Sequence, residues 1–384
     1  MKSIPLTLPY LDSKELNEIK KCLTSSWLVE GEKTREFERK FNEFQKTKYA
    51  ISTTSCTAAL HLSLRTLNLK KDDEVLVPTF SWVTSASAVE YVNAKIRFID
   101  VNLNTYNIEP DIIEKNINNN TKAIIIVHLF GNPANMEKII SICKKYKLKI
   151  IEDAACGIGS KYKGKFVGNF GDFGCFSFHP RKLITTGEGG MITTNSKKNK
   201  EKLEIFKNHG MTYRSSSVKN EKIGPWTMSN VVEAGYNLRF NDLLASIGIK
   251  QIDKVKKIQS KRLIQANNYN HLLNDKKYVI TPKIEDNTIH SFQSYVIRIE
   301  TEKRKIRNQI MTFLNKCGIS TRPGTLSIPR LDYFKRKYKI DKKLFKNSLL
   351  LEDTTITLPI YHNITKKEQD FICDRLNKAV NKYL

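Results

Sequence analysis

An alternation through the first 250 residues restricts the fold of this chain more than any other feature. Short apolar runs, "EVLVPTF" (74–80), "AKIRFIDV" (94–101), "KAIIIVHLF" (122–130) and "LKIIEDA" (148–154), are separated by stretches with helical spacing. Those stretches are "TAALHLSLRTL" (57–67), "SWVTSASAVEYV" (81–92) and "MEKIISICKKYK" (136–147). Runs so short and so uniformly apolar read as strands buried on both faces. "GCFSF" and "GMITTN" add two more short strands. The pattern predicts an α/β fold with a mostly parallel central sheet, covered by helices on both sides. Ligands of such sheets bind outside the carboxyl ends of the strands.

A helical pattern from residue 241 to 273 then predicts a long connector, "NDLLASIGIKQIDKVKKIQSKRLIQANNYNHLL". Beyond it, "SFQSYVIRIE" reads as a strand, and "KIRNQIMTFLNKCG" and "TKKEQDFICDRLNKAV" as helices. Together they predict a smaller α+β domain, so residues 1–250 form the large domain with an N-terminal arm and 251–384 the small one. "STRPGTLSIPRLDYF" (320–334), with two prolines and a glycine, reads as a loop.

Composition serves mainly to exclude. Formal net charge is +26, which raises nucleic-acid binding as a rival class. The basic residues are mostly lysines dispersed through helical stretches, and no zinc-finger or RNP-like motif accompanies them. The reading is no nucleic acid, with a positive field that attracts an anionic small molecule. The seven cysteines are odd in number and form no CxxC pair, against a disulfide framework or a cysteine metal site. No apolar run reaches the roughly 18 residues of a membrane-spanning helix. The N-terminal "MKSIPLTLPYLDSKELNEIK" lacks a signal-peptide core. The expectation is a cytoplasmic protein with no metal and no membrane partner.

The chemistry centres on "FSFHPRKLITTGEGGMITTN" (176–195), where Lys182 follows a strand and precedes a glycine-rich turn. A free lysine has a pKa near 10.4, so only about one in 2,500 is neutral at pH 7, and using one as a nucleophile costs roughly 4.6 kcal/mol. Most lysines are solvated surface charges. Lys182 instead sits where Gly187, Gly189 and Gly190 allow close backbone approach, suited to a Schiff base with an aldehyde cofactor. Pyridoxal phosphate would need a carboxylate for its ring nitrogen, a phosphate cradle and an aromatic face. Asp153 ends a strand and can supply the carboxylate; alone it reads equally as a turn aspartate. "TTSCTAAL" (53–60) opens a helix whose free N–H groups suit phosphate; alone, Ser55 or Thr57 reads as a plain cap. Trp82 can stack on a ring or simply pack in the core. His128 and His179 fall near these residues and read as structural, and His61 as packed.

In this order along the chain, the motifs resemble the DegT/DnrJ/EryC1/StrS family of pyridoxal-phosphate-dependent sugar aminotransferases. The likeness extends from "SWLVEGEKTREFERKFNEFQKTKYA" to "LPIYHNITKKEQDFI" and includes "VHLFGNPANM", the Asp153-to-"TTGEGG" segment and "GYNLRFNDLLASIGIKQI". The resemblance implies a fold type I enzyme that moves an amino group from L-glutamate to a nucleotide-linked keto sugar. It makes Lys182 the Schiff-base lysine and proton shuttle, and Asp153 the partner of the pyridine nitrogen. Ser177 with Ser55, Cys56 and Thr57 would hold the phosphate, Trp82 would stack on the ring, and Cys156 would lie beside the phenolic oxygen. Asn237 would reach the phosphate in a neighbouring subunit, which implies a homodimer with shared sites. The chain departs from the family pattern at Cys56, at Cys156, where glutamine or histidine is common, and at Leu326 and Pro329, where a subgroup carries histidines. A non-enzymatic regulator that keeps the fold is the alternative, and the presence of Lys182 speaks against it.

Overall fold

The computed structural model describes residues 3–212, 229–274 and 276–384. Its centre is a seven-stranded sheet whose strands, in chain order, are β1 (Tyr49–Thr53), β2 (Glu74–Pro78), β3 (Lys95–Ile99), β4 (Thr121–Val127), β5 (Lys149–Asp153), β6 (Phe173–Ser177) and β7 (Gly190–Thr194). The spatial order is β1-β7-β6-β5-β4-β2-β3. β6, β5, β4, β2 and β3 are mutually parallel. Only β7 runs against its neighbours, β1 and β6. The alternation thus produced the mostly parallel sheet it predicts. Central strands such as β4 and β5 are almost wholly buried, as a sheet covered on both faces requires.

Helices α1 (Ser13–Ser25), α2 (Glu32–Gln45), α3 (Cys56–Thr66) and α4 (Thr84–Glu90) belong to this layered unit. α2 repeats Phe37 and Phe41 one turn apart, and both are fully buried against Phe176 and Phe178. Its first turn has no side-chain cap of its own, because Gly31 stands at the N-cap. Asp242 supplies one from 208 residues away, accepting the Gly31 N–H at 2.8 Å, the Thr34 N–H at 2.9 Å and the Thr34 hydroxyl at 2.7 Å. A remote carboxylate here does the work of a local cap and favours the positive helix end.

The helix Asp242–Leu273 spans 32 residues, about 48 Å at 1.5 Å per residue, and runs unbroken past residue 250. Its first half packs Ala245, Ile249, Ile252 and Val255 against the phenylalanine core. Its second half packs Ala266, Tyr269 and Leu273 into another core, which also takes in Ile4. That second core lies on a three-stranded antiparallel sheet of Val279–Ile280, Tyr295–Ile299 and Thr355–Leu358, packed with helices Arg304–Lys316 and Lys366–Tyr383.

The expected loop at 320–334 proves more ordered than its prolines suggest. Leu326–Ser327 forms a two-residue strand paired with Phe80–Ser81, Leu326 opposite Ser81. A short 3-10 turn follows at Ile328–Arg330, then helix Asp332–Tyr338. Pro329 fits because the first turn of a helix needs no N–H from it. The pairing is non-local, so composition could not reveal it. The helix expected from residue 81 begins at Thr84, because Ser81 is spent in that strand pair.

Candidate functional site

Strand register builds the site. Gly190, at the start of β7, pairs with both Thr53 at the end of β1 and Ser177 at the end of β6. Asp153, ending β5, pairs with Cys175 of β6 and with Val127 of β4. The ends of four strands therefore converge at the carboxyl edge of the sheet. A cleft of about 280 Å³ opens there, and Lys182, Asp153, Cys56, Thr57, Ser177 and Trp82 line it.

The "TTGEGG" turn explains itself at this edge. A Cβ on Gly190 would lie 2.4 Å from the Ser55 carbonyl carbon and oxygen and 2.7 Å from the Cys56 nitrogen, far inside contact distance. Gly187 adopts φ +88° in open space, the left-handed conformation that glycine takes at no steric cost. The glycines thus let β7 lie directly against the first turn of α3. That turn is capped by Ser55, whose Oγ accepts the Ala58 N–H at 3.1 Å, while the Ser55 carbonyl accepts from Ala59 at 3.0 Å. The Cys56 and Thr57 N–H groups are left with no intrahelical partner, as at every helix start, and the dipole favours an anion beside them. The plain capping reading of Ser55 and the anion-cradle reading of the turn hold together: the hydroxyl caps and the backbone remains free.

Asp153 is nearly buried, with 5% exposure. Its Oδ2 accepts from the Ser85 hydroxyl at 2.8 Å, and Ser85 lies 3.0 Å from the Ser81 hydroxyl. Its Oδ1 accepts the Ala155 N–H at 3.2 Å. Among the described residues no lysine, arginine or histidine pairs with it. A buried carboxylate with neutral donors alone is poorly compensated, and a cationic N–H entering the cleft would complete it. Burial, and next the charge of Asp153, push the Cys56 thiol well above its ordinary value, so it stands as a neutral thiol at the cradle. Lys182 Nζ lies 3.3 Å from Cys156 Sγ. The Lys182 N–H donates to the His179 carbonyl at 2.8 Å, a turn that sets the side chain off the end of β6. Trp82 is 50% exposed, so it is not a core residue and its ring is free to stack. Ser177 Oγ accepts the His179 N–H at 3.4 Å.

Other residues stand apart from the chemistry. Asn237 is exposed, does not line the cleft, and bridges to Asn208 through its backbone. Leu326 and Pro329 do not line the cleft, whereas Thr325, next to Leu326, does. His128 is fully buried: its Nδ1 accepts the Ala134 N–H at 3.1 Å, so Nε2 carries the proton to Glu152 Oε2 at 2.9 Å. Glu152 in turn accepts from Gly168, Phe170 and Gly171 N–H groups, a structural network behind β5. His61 packs edge-on to Tyr91 and Tyr236. Sequence reasoning passes over Ser85, Arg181, Gln293 and Arg322, which the fold brings to Asp153 or to the cleft wall. The four-residue spacing of Ser81 and Ser85 was a usable signal for the first; the isolated Arg322 in "TRPG" carried none.

The donor set fits pyridoxal phosphate: an amine, a buried carboxylate lacking a cationic partner, an anion-ready helix start and an open aromatic face share one cleft. Among the described residues no cluster of metal-ligand side chains occurs, and no helix is long and apolar enough to cross a membrane.

Comparison with known proteins agrees. The model of the DegT/DnrJ/EryC1/StrS aminotransferase family matches residues 9–377. GDP-perosamine synthase of Escherichia coli O157:H7 is 34% identical over 98% of this chain and 99% of its own. The "putative sugar aminotransferase Spr1654" of Streptococcus pneumoniae, solved in PLP and PMP forms, superposes with TM-score 0.93 at 26% identity; in the PLP form the match spans 100% of both chains. Helicobacter pylori PseC, an aminotransferase of pseudoaminic acid biosynthesis, superposes with TM-score 0.92 at 26% identity over 100% of both chains. This chain, with a fold type I architecture and pyridoxal phosphate as its cofactor, belongs to the DegT/DnrJ/EryC1/StrS aminotransferase family.

Proposed function

We propose that the enzyme takes an amino group from L-glutamate and delivers it to the keto carbon of a nucleotide-linked sugar, in two half-reactions at one site. The observation that carries this reading is the shared cleft of Lys182, Asp153 and the first turn of α3. When bound, pyridoxal phosphate supplies an electron sink and carries nitrogen between the two substrates. Lys182 would anchor it through Nζ and, once released by the incoming amine, would move the proton taken from the donor's Cα. Asp153, held by Ser85, would keep the ring nitrogen protonated. The Cys56 and Thr57 N–H groups with the Ser177 hydroxyl would bind the phosphate, Trp82 would cover one ring face, and Cys156 would flank the ring near Lys182. Exposed Asn237 is free to reach a second subunit, which supports a homodimer with shared sites. The positive net charge favours approach of an anionic substrate. The name of the GDP-perosamine synthase relative specifies a nucleotide-linked product, which supports that substrate class. On the same reading residues 1–250 make the large cofactor-binding unit and 251–384 the small one, in a cytoplasmic enzyme.

The test incubates purified protein with L-glutamate and a panel of UDP-, dTDP- and GDP-linked keto sugars, with amino-sugar formation followed by mass spectrometry. Amination of at least one is expected. If none is aminated while glutamate still converts the cofactor, the acceptor assignment is wrong. If borohydride fixes no cofactor on Lys182, the whole reading fails.

A further inference from the structure

The reactive amine of the cleft touches a thiol. Lys182 Nζ lies 3.3 Å from Cys156 Sγ. Both side chains are partly exposed and both line the cleft, so a small solute reaches them together. Their backbones are anchored on either side of the contact. The Cys156 carbonyl accepts the Ser291 hydroxyl at 2.9 Å. The Lys182 N–H donates to the His179 carbonyl at 2.8 Å, and Gln293 Nε2 donates to the Arg181 carbonyl at 2.7 Å. The pair meets without rearrangement of either segment.

Peroxide converts an accessible cysteine to a sulfenic acid, which condenses with a second thiol to a disulfide or with a nitrogen to a sulfenamide. The surroundings of Cys156 favour the nitrogen. Of the seven cysteines only Cys56 shares the cleft with it. Cys56 is 8% exposed, and its sulfur faces Asp153 Oδ1 at 4.0 Å. Burial, and next the charge of Asp153, keep it a neutral thiol, and exchange at sulfur runs through the thiolate. Cys175 is fully buried with its sulfur 3.4 Å from the Ser63 hydroxyl. The nucleophile in contact with Cys156 is therefore the Lys182 amine.

We propose that Cys156 and Lys182 close a reversible sulfur–nitrogen bridge when hydrogen peroxide meets the enzyme with its lysine amine free. First the Cys156 thiolate attacks a peroxide oxygen. An S–O bond forms, the O–O bond breaks, and the departing hydroxide takes up the proton that the thiol gave up and leaves as water. Sulfur is oxidised and peroxide is reduced. Next the neutral Lys182 amine attacks the sulfur. An S–N bond forms, the S–O bond breaks, and the departing hydroxide leaves with an amine proton as water. The bridge occupies the amine that anchors the cofactor, so it halts the enzyme, and it keeps Cys156 from the irreversible sulfinic and sulfonic stages. An amine already holding the cofactor cannot close it. The anchored enzyme is therefore protected and the enzyme between half-reactions is exposed, a point that rests on the transaminase reading above.

The experiment starts from holoenzyme in separate portions. One receives L-glutamate, one receives hydroxylamine, which frees the amine whatever the natural donor is, and one is fixed with borohydride. Cofactor absorbance reports release of the amine. Each portion meets hydrogen peroxide, is alkylated and digested without reductant, and is mapped by mass spectrometry. In the released portions the peptides carrying Cys156 and Lys182 should be joined, about 2 Da lighter than their sum, and should separate in dithiothreitol. Borohydride fixation of added pyridoxal phosphate should be lost with the bridge and return with dithiothreitol. The joined peptides should be absent from the borohydride-fixed portion and from C156S, and C56S should still form them. A Cys56–Cys156 disulfide overturns the proposal, as does Cys156 trapped by dimedone as sulfenic acid with Lys182 unmodified. So does absence of the bridge from glutamate-treated enzyme whose absorbance shows release. A bridge after hydroxylamine alone, with absorbance unmoved by glutamate, sustains the pair and removes the donor assignment instead.

Discussion

Substituting Gly190 by alanine tests whether the glycine-rich turn exists to seat a strand against the anion cradle. The new methyl would meet the Ser55 carbonyl carbon and oxygen at 2.4 Å and Cys56 N at 2.7 Å. All three are backbone atoms, so no rotamer change relieves the clash. Either β7 or the first turn of α3 must move, and overpacking of this kind costs about 1–3 kcal/mol of stability. Movement of the turn also misaims the Cys56 and Thr57 N–H groups. A hydrogen bond to a charged group contributes about 1.5–3 kcal/mol, so losing one weakens cofactor binding by about tenfold to a hundredfold. Gly187→Ala is the control. Its Cβ would meet nothing within 4 Å, but its φ of +88° is left-handed, so the cost is backbone strain of about 1–2 kcal/mol with no change at the cradle. Urea unfolding reports the stability loss in both variants, and titration with pyridoxal phosphate reports affinity. G190A with wild-type cofactor affinity, or G187A with an equal loss of it, would refute the reasoning.

Three further outcomes follow from the geometry. Lys182→Ala should abolish borohydride fixation of the cofactor, read by intact mass, while phosphate and Asp153 contacts still retain it by equilibrium dialysis; persistent covalent fixation would locate the anchor elsewhere. Ser85→Ala removes the 2.8 Å hydroxyl donor to Asp153 and should lower kcat/KM by about fivefold to tenfold, the scale of one hydrogen bond; a Ser85→Ala, Asp153→Asn double-mutant cycle that is strictly additive would uncouple the pair. His290 is buried, stacks on Phe292 and accepts the Phe292 N–H at 2.8 Å, and burial lowers its pKa from 6.5 to about 3. Between those values the unfolded chain takes up a proton that the folded chain refuses, so stability falls as pH drops from 6.5 towards 3, by at most about 1.4 kcal/mol per pH unit. His290→Gln should flatten that part of the urea-stability profile, and an unchanged slope would show that the imidazole is not held neutral.

Much of the site was legible because its chemistry is local. Lys182, its three glycines and Ser177 lie within one short stretch, and Asp153 ends a strand that its own apolar run announces. The fold class was legible for the same reason: burial on both faces demands continuous apolar runs, and these can be read without knowing their neighbours.

What stayed hidden depends on register and on long-range contact. Nothing near Ser85 says that it will meet Asp153, 68 residues away, and nothing near Asp242 says that it will cap a helix beginning at Glu32. The strand pair between Leu326–Ser327 and Phe80–Ser81 turned an expected loop into part of the cleft's support. Arg322 gained its place at the site through that same distant segment. Periodicity and local spacing carried the layered α/β class and singled out Lys182 and its neighbours as a candidate site, since both act within a few residues. Only the tertiary structure decided which hydroxyl steadies the buried carboxylate and which cations face the cleft, because those contacts exist only once the strands have chosen their order.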